Sequence, residues 1–331
     1  MSAMAKRFVA QLSDQESVNE VFRATQKQLR ANRNGDLYLT CRLEDKTGTI
    51  DAFLWRVTDE VYQSFEDGDF VRVEGVAQLY HGQMQIIARR ITKVPAPEVD
   101  PADFFPLSRQ EIDRLRSRLR EILREIEEPA LATLVECFLI DEEFMSDFCE
   151  FPAGLRAHHA YPGGLLQHVV TMLEMGLQAA RCYPAVNKSL LLTGIFLHDL
   201  GKLLELPRQP AAEYTEQGEL VGHVILGVQM LEQKVRQAEM LSGEAFPRDL
   251  LLHLQHIIAS HHGEYEFGSP KLPMTLEALI VHCLDLLDSK CSAFAELLRE
   301  TPVGEGIWTR FHPQLERKLY RGSGRRGEFH R

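Results

Sequence analysis

The sequence predicts a multidomain chain, all-β in its N-terminal part and all-α in its C-terminal part. Three observations predict it. Apolar and polar residues alternate between residues 35 and 94, four prolines crowd residues 95–109, and from Gln110 onward apolar residues recur at helical spacing.

The β elements come first. GDLYLTCRLED alternates, DKTG supplies a tight turn and TIDAFLW resumes the alternation, which makes a hairpin. The amphipathic stretch VTDEVYQSF predicts a short helix. GDFVRVEGVAQLY, a turn at His81 and Gly82, and QMQIIARRITKV then predict two further strands. With a first strand near residues 17–31, five strands carry one helix between the third and fourth, the order of an OB-fold barrel. This all-β OB-fold domain is assigned to residues 1–94. Residues 95–109, PAPEVDPADFFPLSR, read as a linker because proline removes backbone donors and stops both helix and strand.

The helical domain is assigned to residues 110–313. Ile112, Leu115, Leu119, Ile122, Leu123 and Ile126 share one face of its first helix. Later helices are expected at 129–141, 163–182, 187–205, 221–238, 247–262 and 273–299. Residues 314–331 read as a basic, flexible tail: ERKLYRGSGRRGEFHR holds six Lys or Arg against two Glu.

Composition narrows the function classes. The net charge of −11 argues against a nucleic-acid coat protein, but residues 1–95 hold 13 basic and 13 acidic residues, so the deficit lies in the remainder. An acidic domain can hold cations and still act on a polyanion when another segment supplies the attraction. No run of eighteen uncharged apolar residues exists and the N-terminus lacks the apolar core of a signal peptide, so a cytoplasmic protein with no membrane partner is expected. Six cysteines without CxxC spacing read as buried, reduced core residues. A homo-oligomer is left open.

The chemistry is carried by His168, His198 with Asp199, His223, His261 with His262, and Asp285. Imidazoles and carboxylates without a nearby cysteine describe a pocket for one or two borderline-to-hard divalent metals. A lone histidine on an apolar helix face, as His168 is, is more often a core residue; the rest of the set changes that. In LLLTGIFLHDLGK an apolar helix ends in His198 and Asp199, and burying that carboxylate without a cation or donor costs several kcal/mol. His223 opens a helix, His261 and His262 close another, and Asp285 sits within LEALIVHCLDLLDSK with no basic residue nearby.

The order His168, His198-Asp199, Asp285 resembles the H…HD…D signature of the HD superfamily of metal-dependent phosphohydrolases, which makes the second domain an all-α HD domain. The resemblance implies that His168, His198, Asp199 and Asp285 hold one metal, that His223, His261 and His262 hold a second, and that Asp199 bridges. Metal ions about 3.5–4 Å apart acidify water and neutralise an attacked phosphate, so no protein nucleophile is needed. Lys202, one turn beyond Asp199, is then a candidate donor to a phosphate oxygen; the competing reading is a lysine complementing a helix C-terminus. It also favours manganese, with iron, cobalt, nickel or zinc as alternatives; so many imidazoles disfavour magnesium.

An OB-fold beside such a pocket points to single-stranded nucleic acid, gripped by aromatic stacking and by cations along the phosphates. The candidates are Tyr38, Phe53, Trp55 and Tyr80, with Lys27, Arg30, Arg33, Arg42, Arg56 and Arg72. Half of these aromatics are expected in the barrel core. Phe53 and Trp55, two apart, share a face, whereas Tyr38 fits either.

Together, LYLTCRLEDKTGTIDAFLW, HHAYPGGLLQHVVTML, FLHDLGK and SHHGEYEFGSPKLPMTLEALIVHCLDLLDSK resemble the YhaM-like 3′-to-5′ exoribonucleases. The resemblance spans residues 17 to about 300. It implies removal of nucleotides from the 3′ end of single-stranded RNA, with single-stranded DNA an open alternative. His158, His159 and Tyr161 belong to it, and His159 takes a substrate-contacting or metal-supporting role. Two other readings compete. One is a cyclic-dinucleotide phosphodiesterase or nucleotide phosphohydrolase, against which GEYEFGSP lacks a GYP tripeptide and Gly164 stands where a glutamate is expected. The other is a non-catalytic strand-binding protein.

Overall fold

A computed structural model describes residues 6–32, 35–80, 83–105, 107–154, 159, 161–207, 213–300, 307–309, 311 and 315–321. By its contacts the chain divides into two compact units, residues 1–106 with 294–331 and residues 107–293. The described residues among 294–313, expected with the helical domain, group with the barrel in that division.

The first unit is a closed barrel of β1 (Ser17–Ala31), β2 (Leu37–Asp45), β3 (Gly48–Trp55), β4 (Phe70–Tyr80) and β5 (Gln83–Val94), in the spatial order β1-β2-β3-β5-β4. Every ladder is antiparallel except β3 with β5, which run parallel. The expected short helix, α1 (Asp59–Gln63), lies between β3 and β4, with Thr58 capping it by accepting from the Val61 N–H. Alternation decides what is inside. Leu39, Cys41 and Leu43 of β2 and Ile50, Ala52 and Leu54 of β3 fill the barrel, and the residues between them face outward. The proline-rich connection forms two single 3₁₀ turns, Ala96–Glu98 and Pro101–Asp103, before the first long helix.

The second unit is helical: α2 (Arg109–Leu123), α3 (Pro129–Leu139), α4 (Glu142–Glu150), α5 (Gly164–Cys182), α6 (Lys188–Leu197), α7 (Lys202–Glu205), α8 (Glu216–Val221), α9 (His223–Ser242), α10 (Arg248–Ser260) and α11, whose span Leu276–Glu300 runs on into the other unit. Three helical expectations need correction. The segment 187–205 is two helices, because residues 198–201 form a turn, and neither α4 nor α8 was expected as a separate element. α4 follows α3 after a two-residue break in which Asp141 accepts from the Phe144 N–H and starts a new helix. One core joins the helices around Leu134, Phe138, Phe148, Leu166, Leu191 and Phe196. All six cysteines are free, but only Cys41, Cys137 and Cys149 are buried; Cys182, Cys283 and Cys291 are exposed, which corrects the expectation that all were core. Among the described residues, no helix is long and apolar enough to cross a membrane.

Candidate metal centre and strand-binding face

α6 is buried on every side from Ser189 to Leu197, so its C-terminus ends inside the domain. His198 caps that end. Its Nδ1–H donates to the Ile195 carbonyl at 2.7 Å, satisfying an otherwise orphaned helix-terminal oxygen and turning Nε2 away from the helix. α10 repeats the device, with His261 Nδ1–H donating to the Ile258 carbonyl at 2.8 Å. Two further imidazoles are aimed by carboxylates. His168, on the buried face of α5, donates from Nδ1 to Asp288 at 2.7 Å. His223, opening α9, donates from Nδ1 to Glu205 at 2.9 Å, and the same carboxylate oxygen accepts the His223 backbone N–H.

Carbonyl and carboxylate oxygens only accept, so each of these Nδ1 atoms carries the proton and, in the neutral ring, each Nε2 is a bare lone pair. The Nε2 atoms converge. His168 and His198 stand 3.3 Å apart, and His223 and His262 3.2 Å. Asp199 lies between the pairs. Its Oδ2 is 3.3 Å from His198 Nε2 and 3.7 Å from His168 Nε2; its Oδ1 is 3.6 Å from His261 Nε2 and 3.9 Å from His223 Nε2. Asp285 Oδ1 is 3.4 Å from His168 Nε2. The ligand atoms of His168, His198 and Asp285 form one tight group, and those of His223, His261 and His262 another.

The second group reaches Asp199 because position 201 carries no side chain. A Cβ on Gly201 would stand 1.9 Å from the His223 carbonyl oxygen, so only glycine lets the turn after His198-Asp199 lie against the start of α9.

These donors fit divalent cations. Facing lone pairs repel, and Asp199 Oδ1, His261 Nε2 and His262 Nδ1 are buried without a hydrogen-bond partner among the described residues, at about 1–3 kcal/mol each. Burial, reinforced by neighbouring histidines, drives His261 well below the ordinary imidazole value and lowers His262, which keeps both in the neutral, ligating form. Burial opposes charge on Asp199 too, yet Lys202, His198 and His261 together hold its carboxyl well below the usual range. His198 shifts upward: burial disfavours its cation, and the charges of Asp199 and Asp285 outweigh that.

Lys202 Nζ donates to Asp199 Oδ2 at 2.7 Å. Burial disfavours its charge, but Asp199 and Asp285 raise its value on balance. It opens α7 rather than closing a helix, which removes the dipole-complementing reading. His159 lies on the Nδ1 side of His168, with Nε2 3.0 Å from the Asp288 carboxylate, and its ligand atom, with those of His168 and Asp288, forms a third close group. That placement favours the metal-supporting role over the substrate-contacting one. His158 and Arg33 lie outside the described residues. Asp288 and Glu205 were missed by sequence reading. Asp288 carried a signal, since it stands one turn beyond Asp285 on the same apolar helix; Glu205, six residues past Asp199, carried none that separates it from a surface glutamate.

On the barrel the expected residues separate. Arg30 pairs with Tyr38 across β1 and β2, and Tyr38 pairs with Trp55 across β2 and β3, so the three side chains form one outward row. The Tyr38 and Trp55 rings lie 4.8 Å apart, and Phe53 stacks beside Trp55 at 6.3 Å with an 18° interplanar angle. None of these aromatics is core, contrary to expectation. A cavity of about 490 Å³ opens beside Trp55, lined by Asn32, Asp36, Leu37 and Arg56. Arg42, also outward, is paired with Asp51 at 3.6 Å.

Lys27 is a second correction. Its side chain is 4% exposed, and its ammonium donates to the Tyr62 and Phe65 carbonyls and to Glu66, tying β1 to α1 rather than meeting phosphate. Arg72 lies on β4 against β1, away from the aromatic row, and lines a separate cavity of about 810 Å³ with Glu16, Glu98 and Asp103. Tyr80 is exposed, but it ends β4 near the strand-start of β3, at the opposite end from Trp55.

The comparisons agree with this geometry. The model of the HD domain family matches residues 165–290, and that of an OB-fold nucleic acid binding domain matches residues 21–94. The chain is thus a nucleic-acid-binding barrel joined to a divalent-metal-dependent HD domain. Curated relatives described as 3′-5′ exoribonuclease YhaM match over most of their length: Listeria innocua at 33% identity, over 82% of this chain and 85% of the relative, and a Geobacillus species at 35%, over 82% of each. Oceanobacillus iheyensis follows at 32%, over 82% of this chain and 84% of the relative. The chain belongs to the YhaM family.

Proposed function

We propose that this protein is a metal-dependent 3′-to-5′ exoribonuclease that shortens single-stranded RNA. The observation that carries the reading is Asp199, whose two oxygens face separate histidine groups and whose Oδ1 has no hydrogen-bond partner among the described residues. His168, His198 and Asp285 would hold one ion and His223, His261 and His262 the other, shared through Asp199. Manganese is the proposed metal, because the family resemblance favours it and the imidazole-rich set disfavours magnesium. Bound divalent ions supply acidified water and neutralise charge on phosphate.

The chain's own residues do the rest. The Ile195 and Ile258 carbonyls, Asp288 and Glu205 fix the imidazole protons on Nδ1, so Nε2 is available without a tautomer change. Lys202 holds a charged donor against Asp199 at the edge of the centre and is the group proposed to donate to a non-bridging phosphate oxygen. Arg30, Tyr38, Phe53 and Trp55 form the proposed strand-binding face, where bases stack on the rings and the guanidinium meets phosphate. The activity by which the relatives are described, 3′-to-5′ cleavage of RNA, supports the choice of reaction.

The test uses a single-stranded RNA labelled at its 5′ end, incubated with the full chain and manganese beside a cyclic dinucleotide and a matching DNA. A ladder of labelled products shortening from the 3′ end is expected. Immediate release of the label as a mononucleotide, or loss of the cyclic dinucleotide alone, overturns the reading.

A further inference from the structure

His168 is held by more than one hydrogen bond. The Asp288 oxygen that accepts its Nδ1–H also accepts from His159 Nε2, at 3.0 Å, and Ser292 Oγ stands 3.1 Å from that same nitrogen. On the other edge of His159, Nδ1 is 3.0 Å from Tyr161 Oη, which is 2.6 Å from Gln167 Oε1. Gln167 precedes His168 in the chain. The bonds therefore close a ring: His168, Asp288, His159, Tyr161, Gln167 and back through one peptide link. Asp285, Asp288 and Ser292 occupy one stripe of α11, so a single helix face supplies a proposed ligand, the carboxylate that aims another, and a hydroxyl.

The chain is shaped to hold His159 there. His159 and Asp288 are each 7% exposed. The His159 backbone is left-handed (φ 58°), an unusual conformation for a residue with a side chain. Its carbonyl accepts from the Ala153 N–H at 2.9 Å and lies where a Cβ on Gly164 would be, at 2.0 Å. The glycine that opens α5 thus lets the His159 turn close onto the helix carrying His168.

We infer that His159 and Asp288 are positioning residues of the first ligand group: His159 fixes the Asp288 carboxylate, and Asp288 fixes the tautomer and direction of His168. The inference rests on the proposed metal-dependent reading but concerns one half of the centre only. His223, in the other group, is aimed independently by Glu205. Weakening the ring should therefore affect the ion that His168 would hold more than the ion that His223 would hold.

The experiment is a manganese titration of the metal-free full chain by calorimetry, for the wild type and for Asp288→Asn, His159→Ala and His159→Gln. Asp288→Asn and His159→Ala are expected to weaken one ion about 10–100-fold and leave the other unchanged. The manganese concentration for half-maximal RNA cleavage should rise in parallel while KM for RNA stays constant. His159→Gln, whose amide N–H can still donate to Asp288, should recover most of the affinity. Unchanged titrations of both Asp288→Asn and His159→Ala overturn the inference. So does a loss confined to the melting temperature of the metal-free protein, which a merely structural role would give. Loss of one whole ion from His159→Ala at saturating manganese overturns it too, by making His159 a ligand. A wild type that binds manganese yet leaves RNA intact defeats the proposed reaction, while the titrations still decide the positioning role.

Discussion

The helical centre and the barrel face behave differently as sets of residues. Seven side chains far apart in sequence meet within the helical unit, whereas those expected to grip RNA scatter over the barrel: one row on β1 to β3, one lysine buried, one arginine on another side, one tyrosine at another end. Buried imidazoles and carboxylates are costly unless they share a partner, so their presence in apolar helices forces convergence. A cation on a barrel has water as an alternative partner, and its residue type says little about where it points.

The largest effect expected from this contrast is at Asp199. Asp199→Ala should abolish hydrolysis of single-stranded RNA, by about a thousandfold or more, since several kcal/mol of charge stabilisation is lost. RNA affinity measured by anisotropy should change little, because the proposed grip is on the barrel. Retained cleavage would dissolve the distinction between the two regions.

An intermediate effect separates the barrel residues from one another. Trp55→Ala should weaken RNA binding about 10–100-fold, matching stacking energies of about 1–3 kcal/mol per base, with the melting temperature unchanged. Lys27→Ala should do the reverse: a destabilised barrel from the lost bonds to Tyr62 and Phe65 carbonyls, and an unaltered salt dependence of binding. Equal losses of affinity in the two variants would restore Lys27 to the binding face.

The smallest effect lies in the helical scaffold. Lys234 is buried and donates to Asp141, which holds that carboxyl below its ordinary value. A depressed folded-state value adds stability above the unfolded value, near pH 4, that is lost as pH falls through the depressed one. Asp141→Asn keeps the cap of α4 but not the charge, so the wild type should be more stable at pH 7, by no more than about 1 kcal/mol given the exposure of Asp141. That gap should narrow below about pH 4 in urea melts; a constant gap would assign the pair no role.

How legible each region was follows from the same physics. Strand alternation placed the barrel and its helix because every second residue is committed to the interior. The seven centre residues were legible because an apolar helix rarely carries histidine or aspartate that does not meet a shared cation or donor. Their supports were not: Ile195 and Ile258 act through carbonyls that every residue carries, and Glu205 and Asp288 are defined by what folds against them. The break between α6 and α7 was hidden because LLLTGIFLHDLGKLLE keeps helical spacing through the turn. Lys27 misled for the opposite reason, since a lysine on a strand is ordinarily solvated.

Gly201 sets a limit on how this centre can vary. The distance between its halves is a clearance between two stretches of main chain, so exchanging ligands cannot adjust it. Any side chain there would prise the start of α9 outward and carry His223 with it. The gauge of the paired site is locked by a missing methyl group.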